Sequence, residues 1–361
     1  MFRYALGISW LRGAALAAVL AASACGRGAP PPAANAPAPA AGVDRSALGM
    51  FAPLPAEFPA AGGAPNAAQV TLGRVLYFDT RLSKNHDISC NTCHPLDKFG
   101  AEQEATSTGH RKQKGGRNAP TVFNAAGHFV QFWDGRAADV EAQAKGPILN
   151  PIEMAMPDPT RVLATLQSIP GYLPLFQAAF PGEATPITYD NVGKAIGAFE
   201  RKLSTPSRWD KFLKGDDKAL TDIEKAGLQA FVETGCPTCH QGALVGGSMF
   251  QKAGLVKPWP NLKDQGRFAV TKTDADRMFF KVPSLRNITK TAPYFHDGSV
   301  ATLEQAIRQM AEHQLGKQLT EVQVASIAKW LGTLTGEVPA VWLAVPKLPP
   351  STDTTPKPIA D

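Results

Sequence analysis

The sequence predicts an all-α fold of two similar domains, and three observations support this prediction. Helical patterns that open with capping boxes recur along the chain. Segments with the strict alternation of a half-buried β-strand are scarce. A helical pattern followed directly by a C-x-x-C-H motif occurs once in each half, at residues 90–94 and 236–240. The repeated order of helix and motif indicates two domains of the same kind.

Composition is that of a folded globular protein. The 361 residues suggest one large or two ordinary domains, and 44% of them are hydrophobic while 19% are charged. The formal net charge of +6 is modest, and no Lys/Arg run stands out beyond residues 111–114. We therefore expect no nucleic-acid partner.

The first 25 residues read as an export signal that is removed from the mature protein. Arg3 and Arg12 precede an apolar run at 14–22, and small residues follow before Cys25. The run is too short to span a bilayer, which predicts export, in a bacterium to the periplasm. Cys25 stands where a bacterial lipoprotein carries its lipidated cysteine. The alternative is cleavage after Ala24 without a lipid anchor.

The remaining composition shifts outline the domains. Ala, Pro and Gly dominate residues 26–47, which predicts a flexible tether. An amphipathic helix from Tyr189 ends before Pro206, so we place one domain at 48–205 and the next at 206–345. Residues 346–361 are rich in Pro and Thr, and we expect a disordered tail.

Capping signals locate several helices. In the first half, a helical pattern begins at Asn66 and leads up to the first C-x-x-C-H motif. In the second half, Thr221, Thr302 and Thr320 each open a capping box. The helix after Thr320 is predicted to stop near Gly336.

The C-x-x-C-H motif is the attachment signature of c-type haem. Its two thiols form thioethers with the vinyl groups of one porphyrin, and its histidine binds the iron from the proximal side. A bare C-x-x-C also suits a redox dithiol or half a zinc site, but two complete copies use four of the five cysteines. We predict two covalent haems, which agrees with export. The attachment and proximal residues are Cys90, Cys93 and His94 for the first haem and Cys236, Cys239 and His240 for the second.

Three further side chains in the first half allow both an ordinary and a functional interpretation. His110 lies in a glycine-rich basic loop sixteen residues after His94; it is either a solvated loop histidine or a sixth iron ligand on a movable segment. Trp133 is either a core residue or an electron relay. Glu153 lies between apolar neighbours and is either a capping or paired group or a desolvated acid/base.

The second haem needs a ligand on its opposite face, and a methionine would raise its reduction potential relative to a second histidine. Met249, Met278 and Met310 are available. Met310 shares a helical face with Leu303 and Ile307, so core packing explains it equally well. The residues alone leave this choice open.

These stretches together resemble the bacterial diheme cytochrome c peroxidases, in which each of two cytochrome c-like domains carries one covalent c-type haem. The resemblance covers roughly residues 48–340. It is specific because the haem motifs and several stretches outside them occur in the family's order and spacing. The stretches outside the motifs are His110, 117–121, 132–136, Glu153, 282–287 and 293–298.

The resemblance implies an exported enzyme that reduces hydrogen peroxide with single electrons from a small cytochrome c or a cupredoxin. The haem at His240 would receive and store an electron, and the haem at His94 would carry out the peroxide chemistry. Met310 is implied as the second distal ligand, because the family places this methionine fourteen residues after the position of His296. His110 is implied as the resting-state distal ligand of the first haem, released when the other haem is reduced.

Catalytic residues follow from the same resemblance. Trp133 would couple the two haems. Glu153, twenty residues after Trp133, matches the distal carboxylate, and Gln143 would orient peroxide. We expect the apolar neighbours Ile152, Met154 and Met156 to raise the pKa of Glu153.

The resemblance also implies an interdomain calcium ion and a homodimer. The positions that supply calcium oxygens are Asn118, Thr291 and Pro293, with water completing the six to eight ligands that calcium takes. Composition and spacing give no independent sign of either feature.

Three other functions compete. Diheme proteins of methylamine-utilisation systems oxidise a partner protein, but they carry tyrosine where this chain offers Met310. A diheme electron carrier without catalysis leaves Glu153 and the His110 loop unexplained. A thiol–disulfide oxidoreductase is disfavoured, because histidine follows both C-x-x-C pairs and no thioredoxin-like βαβ pattern is present.

Overall fold

The computed structural model describes residues 45–60 and 63–359, so the predicted signal, Cys25 and most of the tether lie outside the described residues. None of the helices in this part of the chain has the length and apolar character needed to cross a bilayer. The first half contains α1 (Ala67–Phe78), α2 (Cys90–Cys93), α3 (Val140–Leu149), α4 (Pro159–Gln167), α5 (Tyr172–Ala179) and α6 (Tyr189–Glu200). The second half contains α7 (Arg208–Leu213), α8 (Asp222–Thr234), α9 (Phe268–Thr271), α10 (Leu303–Leu315), α11 (Glu321–Gly332) and α12 (Ala340–Leu343), and strands β1 (Phe250–Lys252) and β2 (Phe279–Lys281).

The structure is thus mostly helical, with β1 and β2 forming a small antiparallel sheet. The predicted helix starts are confirmed. Asn66 and Gln69 form a reciprocal capping box at α1, and Thr221 and Thr320 do the same at α8 and α11. At α10 the Thr302 side chain accepts a backbone N–H at 3.3 Å, so one half of the predicted box is present.

The end of α11 differs from the prediction. The helix stops at Gly332 and not near Gly336. Gly336 instead donates its N–H to the Asn287 side chain at 3.0 Å. A Cβ on Gly336 would lie 2.0 Å from the Thr205 carbonyl oxygen. This glycine therefore permits a close approach of two backbone segments and does not cap the helix.

One packing arrangement occurs in both halves and positions both C-x-x-C-H motifs. In the first half, α1 crosses α6 where a Cβ on Gly73 would lie 1.8 Å from the Ala195 carbonyl oxygen. In the second, α8 crosses α11 where a Cβ on Gly227 would lie 1.9 Å from the Ser326 oxygen. Any larger residue would separate the helices. Each motif follows the first helix of such a pair.

Two large apolar clusters form the core. One draws on residues from Val70 to Leu203, and the other on residues 209–334 together with Leu48 and Phe51. The predicted domain boundary at 205/206 lies between the two sets. By contacts alone, the described residues belong to a single compact unit, so the boundary stays a prediction.

The segment 346–359 corrects the expectation of a disordered tail. Leu348 packs against the first-half core, as does Trp342 of α12. The Thr352 hydroxyl donates to the Ser168 carbonyl oxygen at 3.0 Å. Prolines and threonines lack helical periodicity, but here they follow a fixed extended path because hydrogen bonds and a few apolar contacts hold them. The segment therefore belongs to the surface of the first half.

Candidate active site

The first motif forms α2, and the His94 ring that follows it lines a buried cavity. His94 Nδ1 lies 3.3 Å from the Gly100 carbonyl oxygen, which can only accept, so Nδ1 carries the proton. Nε2 is then the nitrogen with a free lone pair. Burial lowers the pKa of His94, which favours the neutral ring that a metal ligand requires. The Tyr77 hydroxyl ties the motif to α1 by donating to the His94 carbonyl at 2.7 Å.

The second motif has the same arrangement around a second cavity. Residues Cys236–Thr238 form a single 3₁₀ turn, and the His240 ring lines the cavity. His240 Nδ1 donates to the Val245 carbonyl oxygen at 3.2 Å. Burial lowers the pKa of His240 to about 4. Both histidines therefore present an unprotonated Nε2.

The four motif thiols lie at the cavity walls beside the motif histidines. Cys90 and Cys93 line the first cavity, Cys236 and Cys239 line the second, and these four cysteines form no disulfide. Burial raises the pKa of Cys93 to about 11 and that of Cys236 to about 12. Both thiol pairs and the ring of each motif histidine thus lie at a cavity wall, the arrangement that covalent attachment of haem requires.

The first cavity has a polar wall built by α3 and the turn after it. Gln143 and Glu153 both line this cavity, as does Trp133, so the structure places the three predicted catalytic residues at one cavity. Glu153 Oε1 accepts from the Asn150 side chain at 2.9 Å. Burial raises the pKa of Glu153, while Arg136 and the Asn150 hydrogen bond oppose the rise.

The raised pKa of Glu153 confirms the predicted direction, but not every neighbour contributes. Met154 and Met156 are buried in the first-half core, at 3% and 2% exposure. Ile152 is 39% exposed. It therefore adds little to the desolvation of the carboxylate.

The His110 loop lies against the turn that carries Glu153. The His110 N–H donates to the Glu153 carbonyl oxygen at 2.8 Å. A Cβ on Gly109 would lie 2.1 Å from the Ile152 oxygen, so only glycine permits this contact. Among the described residues that line the first cavity, the loop supplies glycines but not His110, whose side chain is buried. Its role as an iron ligand stays a prediction.

The same loop has an unfavourable backbone. Arg111 and Lys112 have φ values of 54° and 60°, in the left-handed region that residues other than glycine seldom adopt. Such residues cost about 1–3 kcal/mol each and persist only where surrounding contacts hold them. The conformation of the loop therefore depends on the contacts around it.

Trp133 lies between the two cavities and lines both. Its Nε1–H donates to the Asn118 carbonyl oxygen at 2.9 Å. Its ring meets His296 edge-on, with centroids 6.3 Å apart. It also packs against a small apolar cluster of Trp259, Met278 and Phe280. The core interpretation and the relay interpretation are therefore compatible.

Met310 lines the second cavity together with His240. The other two candidate methionines do not border it. Met278 is buried in the small cluster at 6% exposure, and the Met249 carbonyl accepts a backbone hydrogen bond beside β2. The geometry favours position 310, while the bond to iron stays a prediction.

The residues predicted to hold calcium share one location. Asn118, Thr291 and Pro293 all line the second cavity, and they carry the neutral oxygens that calcium accepts. The Asn118 carbonyl already accepts from Trp133. No group of three or more His, Cys, Asp or Glu side chains in the described ranges forms a metal site. The calcium site therefore depends on the resemblance.

The structure adds charged residues that the sequence analysis did not assign. Arg117 forms a salt bridge with Asp134 at 2.6 Å, and both residues line the first cavity. Glu200 is buried at the wall of the first cavity. Lys281 and His128 lie at the walls of both. Lys281 carried one signal, because it is a lone charge within an apolar stretch.

Comparison with known proteins agrees with this geometry. The family model described as "Di-haem cytochrome c peroxidase" matches residues 67–218. The chain is 48% identical over 319 residues to the cytochrome c551 peroxidase of Pseudomonas aeruginosa, covering 86% of this chain and 91% of that protein. It is 46% identical over 296 residues to the cytochrome c551 peroxidase of Nitrosomonas europaea, covering 81% and 86%.

A solved structure of a MauG-like protein associated with microbial copper homeostasis aligns with a TM-score of 0.71 at 28% identity. The alignment covers 81% of this chain and 97% of that one. With two relatives above 45% identity over most of their length, the chain belongs to the di-haem cytochrome c peroxidase family.

Proposed function

We propose that this protein is an exported enzyme that reduces hydrogen peroxide to water with electrons from a small cytochrome c or a cupredoxin. By its family it is a cytochrome c peroxidase. The observation that carries the proposal is the pair of unlike cavities that meet at Trp133. One has a carboxylate and an amide in its wall, and the other is lined by Met310.

The two cavities fit two covalent haems with different tasks. Cys90, Cys93 and His94 would hold a haem whose iron supplies the reaction with peroxide. His240 and Met310 would hold a haem whose iron supplies electron storage at a higher potential. The buried Nδ1–H hydrogen bonds of both histidines would fix the ring orientation and strengthen the ligand.

Glu153 would move the proton on which the reaction depends. Heterolytic cleavage of the O–O bond needs a proton transferred from one peroxide oxygen to the other. Glu153 is desolvated, and its raised pKa brings a proton-carrying form closer to neutral pH. The Gln143 amide on the same wall would orient peroxide by a hydrogen bond.

The His110 loop would control access to the first cavity. In the resting state His110 would occupy the position that peroxide needs, and electron storage at the second haem would release it. The docked contact between the loop and the Glu153 turn, and the two left-handed residues, support a segment with two stable arrangements. Calcium at Asn118, Thr291 and Pro293 would steady the open arrangement.

Trp133 would carry the coupling between the haems, because it borders both cavities. Trp133→Phe keeps the apolar packing but loses the indole hydrogen bond to Asn118. We expect slower electron transfer between the haems in stopped-flow measurements, with haem content unchanged. An unchanged transfer rate would remove this role.

Location and assembly complete the proposal. The leader predicts the periplasm, and Cys25 would add a lipid anchor; the mass of the mature N-terminal peptide separates lipidation from plain cleavage. A homodimer follows from the resemblance and is checked by light scattering.

The deciding experiment measures the same purified protein three ways. Intact mass should show two covalent haems, the absorption spectrum should report a high-spin signal after one electron is added, and peroxide turnover should follow that signal. Fewer than two haems, or absence of turnover in both oxidation states, would contradict the function. A protein that holds two haems and never turns over peroxide would be an electron carrier.

A further inference from the structure

Lys281 is a buried lysine placed where the two cavities meet. It is 4% exposed, closes strand β2 opposite Phe250 of β1, and lines both cavities. The backbone N–H of Lys281 donates to the Trp133 carbonyl oxygen at 2.7 Å. Its Nζ lies 2.8 Å from Nδ1 of His128, which also lines both cavities. Sheet pairing and the Trp133 hydrogen bond thus fix the backbone of Lys281, and His128 holds its amine.

The protein provides this amine with no paired anion. Among the described residues, no carboxylate forms a salt bridge with Lys281, and the acidic group that acts on it is Asp134. Arg117 and Arg136 already engage Asp134, at 2.6 Å and 2.9 Å. Burying an ammonium group without an anion is costly. Burial accordingly lowers the pKa of Lys281 to about 7, and that of His128 falls well below its usual value because it is buried beside Lys281.

A missing anion of defined chemistry is available, because each haem carries two propionate carboxylates. Arg117 and Arg136 also border the first cavity, but both already form salt bridges with aspartates. Lys281 is the buried cation at these walls that has no such partner among the described residues. We propose that Lys281, held by His128, is a shared anchor for haem carboxylates in both cavities. This inference rests on the proposed haem content and adds a binding role for a specific residue.

A shared cation has a measurable consequence. Positive charge close to an iron stabilises the reduced form, and a charge in a poorly solvated position acts more strongly than one in water. Because Lys281 borders both cavities, its removal should lower the reduction potentials of both haems. A residue serving one haem would affect only one potential.

The test uses the full holoprotein with Lys281→Met, Lys281→Arg and the control Lys329→Met. Lys329 is exposed on α11 and lines neither cavity. Intact mass gives the number of haems, and a spectroscopic redox titration gives both midpoint potentials. We expect Lys281→Met to keep two haems. The reduction equilibrium constant of each haem should fall at least tenfold, which lowers each midpoint potential by at least 59 mV for one electron. Lys281→Arg should recover most of the shift, and Lys329→Met should show little.

Several outcomes would overturn the anchor. The anchor is ruled out if Lys281→Met leaves both midpoint potentials unchanged, shifts the potential of one haem alone, or shifts them no more than Lys329→Met does. It is also ruled out if the potentials of Lys281→Arg match those of Lys281→Met. Loss of haem from Lys281→Met, with both haems kept by Lys281→Arg, is the stronger form of the expected result. Loss of haem from both variants counts against the anchor. A wild-type protein without two haems would instead contradict the proposed function.

Discussion

The first and second cavities share one construction and differ in their walls. At each cavity, a C-x-x-C-H motif follows a helix that packs closely against its neighbour at a glycine. The motif ends in a histidine whose Nδ1–H donates to a backbone carbonyl oxygen. The first cavity adds Glu153 and Gln143 and borders a loop with an unfavourable backbone. The second adds Met310 among mainly apolar side chains.

Under the proposed function, this difference would let one haem-binding unit serve two purposes. The motif and its helix pair, which recur nearly unchanged, would hold the cofactor. Reactivity would then depend on the remaining wall residues: Glu153 and the His110 loop at the first cavity, and Met310 at the second. Four predictions test whether the two cavities really divide the work in this way.

The largest effect is expected for Glu153→Gln. The amide cannot transfer a proton, so peroxide turnover should fall by about 10²–10⁴-fold, the usual contribution of a positioned acid/base. Haem content and spectra should stay unchanged. Steady-state peroxide reduction with a reduced cytochrome donor measures this, and the exposed Glu337→Gln is the control. Turnover near the wild-type rate would mean that the polar wall is not what distinguishes the first cavity.

The second prediction concerns the ligand that distinguishes the second cavity. Met310→His should lower the reduction potential of the second haem by about 59 mV or more, which is a tenfold or larger fall in its reduction equilibrium constant. The reason is that imidazole favours ferrous iron less than a thioether does. Redox titration measures the change. Met278→Leu, in the neighbouring cluster, is the matched control. If Met278→Leu moved the potential and Met310→His did not, the ligand would be Met278.

The third prediction tests the movable loop. His110→Gly should be active while fully oxidised, at a rate close to that of the pre-reduced wild type, because no side chain can then occupy the peroxide position. The measurement is turnover before and after addition of one electron. His86→Gly is a fitting control, since His86 has a φ of 58° that glycine accepts and does not line the first cavity. A continued need for pre-reduction in His110→Gly argues against the gate.

The smallest effect concerns Glu200, a carboxyl that has no counterpart in the second cavity. Burial raises its pKa to about 8, with the nearby Glu141 adding to the rise. Because the pKa of Glu200 is higher in the folded than in the unfolded protein, its contribution to folding stability is complete below the unfolded pKa of about 4.3. That contribution is lost as the pH rises toward 8. Glu200→Gln should therefore unfold at a higher temperature than wild type at pH 8, by a few degrees.

The same comparison at pH 4 should show a much smaller difference, because Glu200 is then protonated in the folded state and mostly protonated in the unfolded state. Thermal unfolding followed by circular dichroism gives both values, and Glu337→Gln again controls for loss of an exposed charge. An equal difference at both pH values would indicate a packing effect rather than titration.

Local signals explain what the sequence could predict. A capping box involves residues three apart, so Thr221 and Thr320 located their helices correctly, and the helical pattern from Asn66 located α1. The haem motifs are equally local, and the structure places their histidines and thiols at the cavity walls. The resemblance supplied Trp133 and Met310, and the structure places both at the cavity walls.

Contacts between distant residues explain the rest. Gly336 looked like a helix end but serves a close approach to Thr205, which no local pattern reveals. The Lys281–His128 pair joins positions 153 residues apart. Composition alone also misjudged residues 346–359, because a proline-rich segment is disordered only when no surface accepts it.

That segment has a consequence for the order of assembly. Residues 346–359 come after the second half in the chain, yet they cover the first. A chain made or exported from its amino end therefore completes the first core only after the second half has emerged. Proteolytic cleavage before residue 346 should loosen the first half and spare the second.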